Sequence, residues 1–471
     1  MQQSPASGRI IMKPVTLDFS KESSVPLYLQ LYRKIKAEIT SGNLIAGEKL
    51  PSLRSIAKEL SVSVTTTELA YNQLLIEGYI ISKPQSGFYV AEIQRFAGEE
   101  NDENSYPANF SEYTFDDSEY ICDLSSFDFQ KWKKCMSKVL TDYAHLLLFE
   151  SDVKGEAALR YEISRYVYSS RGVSCTPDQI VIGAGTQQLT NHLCRILRQM
   201  NIDHICTEDP GYVPIQNIFR DHGFGIGKIP VASDGIIVSK LPFNIPSAVY
   251  VSPSNQFPTG SVMPIGNRLK LLEWAKNNNS IILEDDYDSE LRYFGKPVPA
   301  LQGLDKDSRV VYFGSFSSTL FPAIKISYMV LPKQMALIFD SIKDDYTQTC
   351  SKTEQLTLAL FMEDGLYYTN IKKLRALYAQ KLVVALKAFE EYAKDIVTPL
   401  NTKSGINIIL QVKTEKSTEE LCSEAKSLGI RVEPLHYYTT EDTRGIIFYY
   451  NQIPLHDMKE KIMQLSKIWQ K

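Results

Sequence analysis

Apolar positions recur every four residues over Leu27, Leu31, Ile35 and Ile39, with Tyr28 and Tyr32 beside them, and Gly42 closes the run. That spacing predicts an amphipathic helix, opened by Pro26, where proline is best tolerated. Residues 44–51 read as a tight connector. Ser52 is placed to cap a short second helix whose buried side is expected to be Leu53, Ile56, Ala57 and Leu60. Ser63 caps a third, with Leu69, Ala70 and Leu74 inward and Gly78 at its end. Two strand-like pieces, 79–82 and 88–91, flank the turn at 83–87. By pattern alone this unit of three helices and a hairpin could be a mere dimerisation module.

Residues 92–119 break the pattern: Glu99, Glu100, Asp102, Glu103, Asp116 and Asp117 stand among few apolar positions, as in an acidic linker. From Asp123 onward strand and helix patterns alternate, which predicts an α/β domain with a mainly parallel sheet. Residues 132–140 and a run from Gly155 to Arg171 look helical; 179–182, 281–283 and 310–313 look like buried strands. The expected domains are therefore 20–92, a linker over 93–122, and 123–471, with a smaller subdomain from roughly 365 onward.

Several connections in the large domain carry polar or flexible residues. Strand 179–182 runs into Gly183-Ala184-Gly185-Thr186-Gln187-Gln188 and then a helix, a turn that points backbone N–H groups at a phosphate. Tyr212, after Asp209-Pro210-Gly211, offers an aromatic face to a flat ring. Strand 281–283 leads into Glu284-Asp285-Asp286-Tyr287, and a carboxylate there suits a protonated pyridine nitrogen. Strand 310–313 leads through the hydroxyl-rich turn 314–319 to a second strand expected over 324–331. Read singly, each is ordinary strand–turn structure.

Composition narrows the setting. No apolar run approaches the roughly 18 residues a membrane helix needs, and the N-terminus lacks the basic-then-apolar order of a secretory signal. Seven scattered cysteines without a C-x-x-C pair fit reduced thiols in the cytoplasm, and six histidines without ligand spacing offer no metal site. The net charge is -4; residues 26–90 hold seven basic against five acidic side chains, so they carry +2 and the rest of the chain -6.

The wording GNLIAGEKLPSLRSIAKELSVSVTTTELAYNQLLIEGYIISKPQSGFYV resembles the winged helix-turn-helix of GntR-type transcription regulators. The resemblance implies a double-stranded DNA operator as partner, a helix from Ser63 and Val64 entering the major groove, and a wing spanning Lys83 and Gly87. Arg54 matches the arginine of the L-P-S-x-R motif and would contact DNA. Thr65, Thr66 and Thr67 bring hydroxyls for phosphates and methyls for thymine. The family usually has arginine where this chain has Val64.

The large domain resembles a fold-type I aminotransferase, which makes the whole chain similar to the MocR/GabR-like branch of GntR regulators. Carried over, Tyr212 would stack on the ring of pyridoxal phosphate, Asp285 would meet its nitrogen and Tyr287 its 3-oxygen. Gly185, Thr186, Gln187, Ser315 and Lys325 would hold the phosphate. Two departures stand out. Ser318 occupies the place of the Schiff-base lysine in the S-F-S-K-x-L-x-P-x-L-R motif, and a hydroxyl forms no Schiff base. Ile447 replaces the arginine that clamps a substrate carboxylate, and Arg444 lies outside that motif.

The expectation is a cytoplasmic, non-catalytic regulator that senses a small-molecule effector, with pyridoxal phosphate held non-covalently. The resemblance implies a homodimer, domain-swapped head-to-tail. The alternatives are a transaminase with an accessory DNA-binding domain and a regulator whose relic pocket serves only dimerisation.

Overall fold

The computed structural model describes residues 25–92, 121–293, 298–400, 402–439 and 445–470. The chain divides into two compact units, residues 1–113 and 114–471. Apart from its last two residues the expected acidic linker falls outside the described residues, as does Arg444.

In the first unit, α1 (Leu27–Ser41), α2 (Leu53–Glu59) and α3 (Val64–Ile76) precede an antiparallel hairpin of β1 (Ile80–Lys83) and β2 (Gly87–Val90). Leu31, Ile35 and Ile39 of α1 and Ala70, Tyr71 and Leu74 of α3 meet in one core with Ile56, Ile80 and Val90. Ser52 and Ser63 cap α2 and α3 through their hydroxyls, as their positions predict. Leu69, expected inward, is about half exposed, and Tyr71 takes the core position. Its hydroxyl donates to the carbonyl of Pro51 at 3.1 Å. Tyr32 of α1 donates to Glu77, just past α3, at 2.6 Å, and Lys36 pairs with the same carboxylate at 3.0 Å.

The second unit begins with α4 (Phe129–Asp142) and α5 (Ala157–Arg171). There follow β3 (Ile180–Ala184), α6 (Thr186–Gln199), β4 (His204–Asp209), α7 (Val213–Asp221), β5 (Gly225–Ala232), β6 (Gly235–Ile236), β7 (Ala248–Val251), α8 (Ile265–Asn277) and β8 (Ile281–Asp285). Then come β9 (Val310–Ser315), β10 (Ile326–Val330), α9 (Lys333–Ile342) and α10 (Lys352–Glu363). One eight-stranded sheet has the order β3-β10-β9-β8-β7-β4-β5-β6. From β9 to β5 the strands are parallel; β10 runs antiparallel to both its neighbours. Strands such as AVYV of β7 and IILED of β8 are buried along their whole length, as a sheet covered on both faces requires.

The smaller part follows the 27-residue helix α11 (Leu366–Tyr392). It contains β11 (Val397–Leu400), β12 (Ile408–Val412), α12 (Thr418–Ser427), β13 (Val432–Pro434), β14 (Gly445–Phe448) and α13 (Met458–Trp469). Its sheet has the order β11-β12-β14-β13 and is antiparallel throughout. Ile447 is fully buried in β14, opposite Ile409 and Glu433, so the position of the missing arginine is core. None of the described helices is long and apolar enough to cross a membrane.

The second strand of the Ser318 turn begins at Ile326, not Ile324. Residues Pro322–Ile324 form a short 3-10 turn, and Lys325 ends it with φ 48° and ψ 24°, a left-handed conformation that no strand accommodates.

Candidate functional site

Ser63 begins the reader helix; its hydroxyl accepts from the Thr66 N–H at 3.1 Å and lies 2.8 Å from the Thr66 hydroxyl. Arg54 and Thr65 are exposed, and Thr66 is half-buried. Lys83 stands exposed at the hairpin turn, its ammonium 4.6 Å from the centre of the Tyr89 ring. Gly87 takes φ 107°, which frees the turn. Thr67 is a correction: it is fully buried, donating to the carbonyls of Leu53 at 3.2 Å and Val64 at 2.8 Å. It fastens α3 onto α2 and faces no groove. Lys49, exposed and within 5.8 Å of the same Tyr89 ring, adds a cation at the hairpin that the motif did not single out.

In the large domain the C-terminal ends of β8 and β9 and the N-terminus of α6 open on one cavity of about 330 Å³. That is where parallel sheets place ligands. Its floor is Asp285, the last residue of β8, whose carboxylate accepts a hydrogen bond from the buried Tyr250 of β7. Burial pushes the Asp285 carboxyl up to about 6, while the Tyr250 bond favours the ionised form. Behind it lies Glu208, fully enclosed and raised by burial to about 8; its Oε1 has no hydrogen-bond partner. Tyr287 is half-buried at the cavity, and desolvation of its phenol, with the charges of Asp288 and Asp285, holds it well above the ordinary value. It therefore stays a neutral donor.

At the opposite end Thr186 opens the 14-residue helix α6, and Gly185 at φ 89° turns the chain into it. Ser315 ends β9; its hydroxyl accepts from Ser327 at 3.0 Å. Thr186, Ser315 and Ser318 all line the cavity. Helix N-terminus and hydroxyls form a cradle for an anion. Tyr212, 37% exposed, closes one side, and its phenol is hydrogen-bonded by the exposed Gln187 side chain. Lys325 is exposed and does not line the cavity, so the strand that was expected to aim it at a phosphate does not exist.

The small part supplies a wall that the motifs did not reveal. Arg431 pairs with Glu433 at 2.6 Å and lies 4.4 Å over the Tyr449 ring; Tyr438 and Tyr449 both donate to Glu433. Burial opposes the Glu433 charge, yet the bonds from Tyr438 and Arg431 hold its carboxyl below the usual range. The backbone N–H of Gly211 donates to the carbonyl of Tyr438 at 3.0 Å, tying the Tyr212 turn to this wall. Phe257, on a loop fixed by Gln256, sets its ring 4.9 Å from Tyr438, 6.1 Å from Tyr287 and 6.3 Å from Tyr212.

Asp286 does not face the cavity. It is buried in a bidentate pair with Arg171, at 2.6 and 2.8 Å, with Tyr312 and Ser289 donating to it as well. This cluster locks α5 to the end of β8 and so fixes the backbone that presents Asp285. Next along, Asp288 sits at φ 54° with its side chain 4% or less exposed to solvent as a residue, lining the cavity beside Ser318.

The residues present fit a phosphorylated pyridine in donor chemistry and in size, with one exception. Asp285 would hold a ring nitrogen, Tyr212 a ring face, Tyr287 a ring oxygen, and Thr186 with Ser315 a phosphate. Covalent attachment is what they lack, because Ser318 offers a hydroxyl where an amine is needed.

Comparisons agree with this division of labour. Residues 27–90 match the bacterial regulatory proteins of the gntR family, and residues 119–445 match aminotransferase class I and II. The chain is 39% identical over 461 residues to the uncharacterized HTH-type transcriptional regulator YdeL of Bacillus subtilis (strain 168), covering 97% of this chain and 99% of that one. It is 31% identical to the probable rhizopine catabolism regulatory protein MocR of Rhizobium meliloti, over 95% of each. The Pyrococcus horikoshii kynurenine aminotransferase structure shares the fold, at TM-score 0.65 and 22% identity over 74% of this chain and 89% of that one. The chain therefore belongs to the MocR/GabR-like branch of gntR-family regulators, DNA-binding transcription regulators that carry an aminotransferase-like domain.

Proposed function

We propose that the aminotransferase-like domain is a sensor that binds a small molecule, pyridoxal phosphate or a related vitamer, non-covalently and without catalysis. The observation that carries this reading is Ser318: it lines the same cavity as Asp285 and Ser315, in the place of the lysine on which transaminase chemistry depends. Aminotransferase-like folds normally bind pyridoxal phosphate, which when bound supplies a protonated ring as an electron sink. Here Asp285 and Tyr287 would orient that ring and α6 would anchor its phosphate. The Arg54, Thr65 and Lys83 face would carry the reader onto operator DNA, and a homodimer, with readers exchanged head-to-tail, would present two readers to two half-sites.

The test is reduction with borohydride after incubation with pyridoxal phosphate, read by intact-protein and peptide mass. The expected result is reversible binding with no pyridoxyl mass on the chain. A stable pyridoxyl adduct on Lys325 or any other lysine of the cavity region would overturn the non-covalent reading. Absence of binding at millimolar concentration would leave the domain as a dimerisation scaffold.

A further inference from the structure

The cavity carries more negative than positive charge. Asp285, Asp288 and Glu433 line it, and among its described lining residues Arg431 is the one cation, already paired with Glu433. An aldehyde phosphate brings negative charge at its phosphate, and its one positive charge, the ring nitrogen, would be met by Asp285 and not by Asp288. Asp288 is the group without a counterpart. It is 4% exposed, it lines the cavity, and its Oδ1 has no hydrogen-bond partner. Among the described residues its side chain is hydrogen-bonded with Ser318. A buried carboxylate oxygen left unsatisfied costs free energy that a cationic donor would recover.

The sequence motif explains which donor is missing. In the S-F-S-K wording a lysine amine stands at residue 318, and there it would face Asp288; this chain has the carboxylate at 288 and a hydroxyl at 318. Because residue 318 stands in the place of the lysine that would join the 4-substituent of such a ring, a ring held by Asp285 and α6 would present that substituent to Ser318 and Asp288. The rings of Tyr212, Phe257, Tyr287 and Tyr438 beside it form an aromatic setting that also favours a cation.

We propose that the cavity selects a ligand bearing its own primary ammonium group, which pairs with Asp288 and replaces the amine the chain lacks. The inference rests on the reading of the cavity as a site for a phosphorylated pyridine and names the form of ligand it prefers: the aminomethyl compound over the aldehyde or the alcohol.

Isothermal titration of the full-length protein with pyridoxamine 5′-phosphate and with pyridoxine 5′-phosphate tests it, since the two probes share ring and phosphate and differ in amine against hydroxyl. The expected result is about tenfold or stronger preference for the amine, the scale of one buried charge-assisted hydrogen bond. Asp288→Asn should abolish the preference. Asparagine tolerates the left-handed backbone at this position, and circular dichroism verifies that the variant is folded. Equal binding of the two probes would overturn the amine selectivity and leave the cavity reading intact. Persistent preference in the folded variant would overturn the role of Asp288. Binding of neither probe would overturn the cavity reading and this inference together.

Discussion

Asp288→Asn should stabilise the ligand-free protein, and by an amount that depends on pH. Burial, chiefly, with the nearby charges of Glu290 and Asp285, raises the Asp288 carboxyl from its ordinary 3.8 to about 7, against the hydrogen bond from Ser318. The folded state therefore holds a proton up to about pH 7 that the unfolded chain releases near 3.8. Between those values folding takes up a proton, so stability falls as pH rises; above 7 the penalty is constant, and below 3.8 it vanishes. At about 1.36 kcal/mol per pH unit the full penalty is roughly 4 kcal/mol. Relaxation around the site and the imperfect partners left for an amide reduce the expected gain to about 2 kcal/mol. For a domain of this size that is a rise of about 2–5 °C in unfolding midpoint. Thermal unfolding of both proteins at pH 4.5, 6 and 8 measures it. Glu208 and Glu284 titrate in both, so the difference between the curves reports residue 288 together with its coupling to Asp285 and Glu290. A gain as large at pH 4.5 as at pH 8, or no gain at pH 8, would refute the reasoning.

Other expectations follow from the placements of single side chains. Arg54→Ala should weaken operator binding by about 1–3 kcal/mol, and a mobility shift at fixed salt showing unchanged affinity would remove Arg54 from the DNA face. Thr67→Ala should lower the stability of the reader domain by about 1–2 kcal/mol, because it strips a buried donor from the Leu53 and Val64 carbonyls; denaturant unfolding that matches the parent protein would contradict this. Lys325→Ala should leave vitamer affinity within about twofold, as an exposed ammonium outside the cavity contributes little, and a loss of tenfold would restore Lys325 to the phosphate.

Most of the architecture was readable because it follows from local pattern. The uninterrupted apolar runs 281–283 and 310–313 read as buried strands and are interior strands of a covered sheet, and the capping serines marked the first residues of α2 and α3. The Thr67 error had a visible remedy. Thr67, Ala70, Tyr71 and Leu74 recur at helical spacing, which assigns the threonine to the core side and Leu69 to the other. Lys325 was misplaced because a run of apolar residues hides a positive φ, which shows in no hydropathy pattern. Arg171, which braces Asp286 across 115 residues, and the Arg431–Glu433–Tyr438 wall were out of reach. The Arg171 contact comes from packing between elements far apart in sequence; Arg431, Glu433 and Tyr438 are close in sequence, but only the tertiary fold brings them to the cavity.

The cavity draws its floor from the large sheet and one wall from the small antiparallel sheet, with the Gly211–Tyr438 backbone bond as a strut between them. Whatever occupies it leans on both sheets at once. A ligand of this kind does thermodynamic work on the domain: if it binds one spacing of the two sheets more tightly than another, the ratio of those affinities is the factor by which it reweights the two arrangements. With a hydroxyl and no amine at residue 318, such a reweighting would be reversible, rising with ligand concentration to the limit that ratio sets, as in a concentration gauge.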